Sequence, residues 1–156
     1  KSQRMREQIG LDDAHLIPNG VQTEKFMLPQ TRDEIRTLLG IKSEQKLVIF
    51  VSDPQRPEKN FTLCQKSVEL LNDNNLVLVP VYNKPHEEVV KYMLAADVLM
   101  LTSFSEGSPN VIKEAMAAQC PIVTTYVGDV EYVLDGLEGA YIMRSFLPEE
   151  GAELLK

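Results

Sequence analysis

Short, nearly unbroken apolar runs punctuate this chain, and polar segments carrying helix-cap signals lie between them. The runs at Leu47–Val51, Leu76–Val81, Asp97–Leu101, Pro121–Thr124 and Ala140–Met143 read as strands, with a shorter one earlier at Ala14–Ile17. Leu47–Val51 is the kind of strand that a parallel sheet buries on both faces, and Leu76–Val81 reads as another. Ahead of both, Thr31 caps a helix through Leu39, with Asp33 and Glu34 in its first turn and Gly40 as its stop. Asn60 or Phe61 opens a helix ending near Asn72. Others are expected at His86–Ala95, Pro109–Ala118, Asp129–Leu134 and from Pro148 onward, and a short polar one over residues 2–9. Pro18-Asn19-Gly20 is a turn signal.

Strands alternating with helices predict a parallel sheet covered by helices on both faces. Such sheets bind ligands outside the carboxyl ends of their strands, at a topological switch point. Chemistry is therefore expected in the loops 52–59, 82–85, 102–109 and 125–128. One of these belongs to an informative stretch, Leu101 to Met116. A strand end runs through a glycine turn into a helix, with Ser108 as hydroxyl cap and Pro109 as its first residue. Backbone N–H groups at such a helix start lack intrahelical partners and form an anion site that the helix dipole strengthens. Glu106 lies on the turn and Glu114 on the helix. Two carboxylates beside an anion site suit a ligand carrying both phosphates and hydroxyls, such as a nucleotide sugar.

Composition narrows the field. A chain of 156 residues suffices for one domain with a proper core. The formal net charge of −7 argues against a nucleic-acid-binding surface. Cys64 and Cys120 sit in apolar contexts and are expected as buried, reduced thiols, which suits the cytoplasm. No apolar run approaches eighteen residues. Metal ligands do not cluster, and no Gly-x-Gly-x-x-Gly follows a strand, which disfavours a dehydrogenase. Abrupt ends, the second inside the last expected helix, lead us to expect a fragment.

The central stretch resembles the signature of the retaining family 4 glycosyltransferases, which have the two-domain GT-B architecture. Ser103, Glu106, Gly107, Pro109, Glu114, Ala115 and Ala117 match its pattern of Ser-x-x-Glu-Gly-x-Pro-x-x-x-x-Glu-Ala-x-Ala. Supporting pieces follow the family's order: Ile17 to Val21, Lys59-Asn60-Phe61, Ala96-Asp97-Val98, Pro121-Ile122-Val123 and Val127-Gly128. The resemblance implies an α/β fold, a Rossmann-like three-layer domain with a mainly parallel sheet, forming the C-terminal half of a GT-B fold. It implies a nucleotide-diphosphate sugar as donor, no further cofactor, no metal, and an N-terminal acceptor domain as partner. Any membrane contact, at the inner face, would be made through that other domain.

Residue by residue, the resemblance puts Glu114 at the nucleotide ribose and Glu106 at the donor sugar, where it stabilises positive charge at the anomeric carbon. Gly107 admits a close backbone approach, while Ser108 and Pro109 continue the turn. Asn110, Val111 and Ile112 would offer backbone N–H groups, and Lys59 a point charge for the diphosphate. The family usually has a glycine-arginine pair after the preceding strand. This chain has Ser52-Asp53 there, and Arg56 is either its substitute or a solvated loop residue. Tyr82, Asn83 and Lys84 fall where the family contacts the base. Gly128 and Asp129 resemble a loop near the donor, although Asp129 is equally a helix N-cap, the reading favoured here. Lys113 is expected in solvent, and His15 in local packing. Two other functions share these residues: a GT-B-like nucleotide-sugar epimerase, and a non-catalytic sugar-nucleotide or protein-interaction module.

Overall fold

The computed structural model describes residues 10, 15, 17 and 19–156. The helix expected over 2–9 lies outside these, as do residues 14 and 16 of the first expected strand. A 3-10 turn, Thr23–Phe26, precedes the first helix, α1, at Arg32–Leu38. Thr31 and Glu34 form a reciprocal capping box there: the Thr31 hydroxyl accepts from the Glu34 N–H, and the Glu34 carboxylate accepts from the Thr31 N–H at 2.8 Å. Then come β1 (Lys46–Phe50), a second 3-10 turn (Pro57–Lys59), α2 (Phe61–Glu69), β2 (Leu76–Pro80) and α3 (His86–Ala95). The chain closes with β3 (Val98–Leu101), α4 (Asn110–Ala117), β4 (Ile122–Thr125), α5 (Val130–Val133), β5 (Ala140–Met143) and α6 (Pro148–Leu154).

All strands pair in parallel, in the order β2-β1-β3-β4-β5. Side-chain alternation along β1 separates two cores. Leu47 and Ile49 join Ile35, Val90, Met93, Ile112 and Val130 from α1, α3, α4 and α5. Val48 and Phe50 join Leu63 and Cys64 of α2 on the other face, with Leu154 of α6 packed against them. The domain is thus a three-layer, Rossmann-like α/β fold, as expected. Gly151 lets α6 sit close to α2: a Cβ there would lie 2.3 Å from the Ser67 hydroxyl. Among the described residues no helix is long and apolar enough to cross a membrane.

One strand differs from expectation. Read as buried, β2 is only half-buried along its length, because it forms an edge of the sheet. Pro80, which cannot donate to a ladder, is tolerated at such an edge. Both cysteines are free and buried, one in each core. Burial pushes both thiols up to about 12.

At the amino ends of the strands, Asp97 organises a charged clamp. Its carboxylate accepts from the Leu47 N–H at 2.6 Å, from Arg32 at 2.7 Å and from Arg36 at 3.2 Å. Arg36 is buried and also donates to the carbonyls of Ala95, Lys42 and Gln45. Partial burial alone would raise the Asp97 carboxyl, but the Leu47 N–H and the two guanidinium groups outweigh it and hold the group below its ordinary 3.8. A lowered folded-state value contributes stability above the unfolded value, and that stability is lost as pH falls through the folded one. Asp97→Asn is therefore expected to be less stable than the parent at pH 7, with the gap narrowing as pH drops below about 3.8. Urea unfolding of both proteins at pH 7 and pH 3 checks this; a gap that does not change with pH would exclude the clamp's charge as its source.

Candidate functional site

After β1 the chain moves outward to β2, then returns to β3 on the other side of β1. Strand order reverses there, so the loops leaving β1 and β3 diverge around a crevice at the carboxyl edge. Two bonds fasten these loops together. The buried Thr102 hydroxyl lies 3.1 Å from the Lys59 carbonyl and 2.9 Å from that of Asn60. The Phe104 N–H donates to the Glu58 carbonyl at 2.9 Å. Asn60, with φ of 51°, turns the chain from the Pro57–Lys59 turn into α2.

That fastening brings Lys59 to Glu106. The Lys59 ammonium donates to Glu106 Oε1 at 2.6 Å, and both side chains are largely withdrawn from solvent, at 17% and 15% exposure. The Ser103 hydroxyl donates to the same oxygen at 2.8 Å. Ser103 is itself held from behind, since the buried Thr125 hydroxyl donates to its carbonyl at 2.7 Å. Glu106 is therefore fixed by both a charge and a hydroxyl. Pairs as withdrawn as this gain little net stability, but removing one partner strands the other charge.

The loop after β4 closes on the same turn. Gly128 has φ of +58°, and a Cβ on it would lie 2.4 Å from the Gly107 carbonyl oxygen. Backbone meets backbone here, which only glycine permits. Beside it, Asp129 Oδ1 is buried without a hydrogen-bond partner. Further along α4, Asn110 and Glu114 line a pocket of about 180 Å³ together with Gly20, Lys25, Phe26 and His86. His86 Nε2 lies 3.1 Å from Glu114 Oε1.

Residues 32–155 match the family model for Glycosyl transferases group 1. The chain belongs to that family. This glycosyltransferase domain is 31% identical, over 135 residues, to a Bacillus subtilis protein assigned as the teichuronic acid biosynthesis glycosyltransferase TuaC; the match covers 76% of this chain and 34% of that protein. Across the curated relatives it matches, the chain spans between 34% and 45% of their length. Its fold is that of the C-terminal domain of a group 1 glycosyltransferase from Francisella tularensis, with a TM-score of 0.72 at 16% identity, covering 87% of this chain and 86% of that one. An Anabaena protein solved in complex with UDP and glucose superposes with a TM-score of 0.75 at 16% identity, covering 99% of this chain and 50% of the other.

Several expectations for individual residues of the glycosyltransferase domain need correction. Ser108 does not cap α4: Pro109 stays extended (ψ 115°) at the N-cap position, so the helix starts one residue later, at Asn110. The Ser108 hydroxyl accepts instead from Lys113, whose ammonium donates to it at 2.9 Å and to the Asn19 carbonyl at 3.0 Å. Lys113 is thus a tie between segments rather than a solvated charge. Of the three N–H groups expected at the helix start, that of Ile112 is taken by the Pro109 carbonyl at 3.2 Å, while its side chain is core. Those of Asn110 and Val111 open the helix.

Asp129 occupies the N-cap position of α5 but makes no capping bond. Arg56 is exposed and its Nε donates to Glu58 at 2.8 Å, so it does not join Lys59 at Glu106. Tyr82 is exposed on the loop after β2, and Lys84 pairs with Glu88. Sequence reasoning missed Thr102, Thr125 and His86; buried hydroxyls at strand ends and a histidine opening a helix were the available signals.

Gly128→Ala tests the packing of the two loops. An added methyl at positive φ against the Gly107 carbonyl is expected to cost on the order of 1–3 kcal/mol. Chemical unfolding measures that cost, and a variant as stable as the parent would mean the loops part freely.

Proposed function

We propose that this domain binds a nucleotide-diphosphate sugar in the crevice between β1 and β3, as the donor-binding half of a retaining glycosyltransferase. The acceptor, a sugar, lipid or other molecule, would be presented by an N-terminal domain of the same protein. Working in the cytoplasm, the enzyme would reach any membrane-bound acceptor through that other domain. The observation that carries this reading is one juxtaposition: Lys59 pairs with Glu106 where the strand order reverses, on the turn that leads into α4. Family membership and the likeness to a protein solved with UDP and glucose support it.

The roles follow from chemistry. Lys59 and the N–H groups of Asn110 and Val111 take the diphosphate and stabilise the charge that builds on it as it leaves. Glu114, beside Asn110 in its pocket, accepts hydrogen bonds from the ribose hydroxyls. Glu106 addresses the sugar, where its carboxylate stabilises the positive charge developing at the anomeric carbon. Asp129 Oδ1, buried and unpartnered beside Gly128, is available to a donor hydroxyl. Binding would have the phosphates share an ammonium that Glu106 otherwise neutralises.

Two substitutions separate these roles. Lys59→Ala removes the cation and leaves Glu106 unpaired, so calorimetry should show a nucleoside diphosphate bound about ten- to a hundredfold more weakly, with the parent nucleoside little changed. Equal losses for both would move Lys59 out of the phosphate site. Glu106→Ala releases the ammonium, so the free nucleoside diphosphate should bind as well or better while the sugar-bearing donor binds more weakly. The assignment of Glu106 to the sugar fails if both ligands lose equally.

A further inference from the structure

Glu114 has a partner that the family signature does not supply. His86 is the first residue of α3, and its ring reaches across to α4, 28 positions along the chain, to meet Glu114 Oε1 at 3.1 Å. The ring is itself held: Phe26, a buried residue of the Thr23–Phe26 turn, meets it edge-on with centroids 6.4 Å apart at 84°. A carboxylate only accepts, so Nε2 carries the hydrogen and donates. This leaves Oε2, and a lone pair on Oε1, as acceptors. Asn110 lies one helical turn before Glu114 and lines the same pocket. Glutamate has several rotamers of similar energy, and a hydrogen bond from an anchored ring selects one of them.

We propose that His86 is a positioning residue for Glu114, holding its carboxylate in the one orientation that accepts a pair of vicinal hydroxyls. It would thereby set the preference of the site for ribonucleotides over 2′-deoxyribonucleotides. This rests on the reading of Glu114 as the ribose-binding carboxylate and adds the residue that tunes it. The alternative is a partly exposed surface pair, which would be worth little and would be blind to the sugar of any nucleotide. Stability measurements alone would not separate the two; a ligand that differs by one hydroxyl does.

The test measures binding of ADP, GDP and UDP, each with its 2′-deoxy counterpart, to the parent, His86→Ala, His86→Gln and Glu114→Ala. For the diphosphate bound best, His86→Ala should weaken the ribonucleotide about two- to tenfold, as expected when one side chain must be immobilised by the ligand instead. The 2′-deoxy form should be nearly unaffected, so discrimination collapses. Gln can still donate from its amide, so His86→Gln should restore most of it. Unchanged discrimination in His86→Ala, or an equal loss for both sugars, overturns the proposal. Glu114→Ala separates its failure from that of the underlying reading. If Glu114→Ala abolishes discrimination while His86→Ala does not, only the role of His86 falls. If Glu114→Ala leaves discrimination intact, or if none of the diphosphates binds the parent, the ribose reading falls and the proposal with it.

Discussion

Parallel pairing of β1 with β3 is the constraint on which the site depends. Two segments far apart in sequence must leave the sheet side by side, in the same direction, with their loops turning opposite ways. Antiparallel neighbours would send one of those loops to the opposite edge. Pairing by itself fixes only strand positions, and the register spans just Val48 opposite Val98 and Ile49 opposite Leu99. Thr102 extends that order past the last ladder bond by tying its own strand end to the carbonyls of Lys59 and Asn60. The cation and the carboxylate therefore meet because backbone has already been aligned, and their attraction acts over a distance that packing has set.

The same logic governs the opposite edge of the sheet. Arg36 and Asp97 bind backbone groups rather than only each other, so their charges serve as hydrogen-bonding posts for strand ends. One edge is pinned by an ion cluster that satisfies backbone groups at the strand ends. At the other, glycine lets two loops close on each other, since a side chain at position 128 would push the loop after β4 off the turn at Gly107.

Local features were legible in the sequence, and long-range ones were not. Thr31 is the helix cap that its hydroxyl and the acidic first turn implied, and His86–Ala95 and Ala140–Met143 have the bounds their patterns implied. Three-layer architecture followed from the alternation of strands and helices. An apolar run does not reveal whether its strand is central or at an edge, so β2 was misjudged, although Pro80 pointed to the edge. Position in the motif placed Glu106 on a turn and Glu114 on a helix, but not their partners. The Ser108 error arose because proline is compatible with both the first helical position and an extended cap. Thr125 reaches Ser103 and His86 reaches Glu114 only through tertiary packing, which no spacing rule in one sequence encodes.

The two thiols have a use that their burial makes possible. Cys64 belongs to the core beneath α2 and α6, while Cys120 belongs to the core on the other side of the sheet. The sheet stands between them, so they cannot join without its dismantling. Each is silent toward thiol reagents while its own layer stays shut, because the thiolate form is suppressed and the sulfur is covered. Nature has in effect fitted one reporter to each side of the molecule. Comparing their labelling rates would tell whether the two layers melt together or one at a time, with no cysteine having to be engineered in.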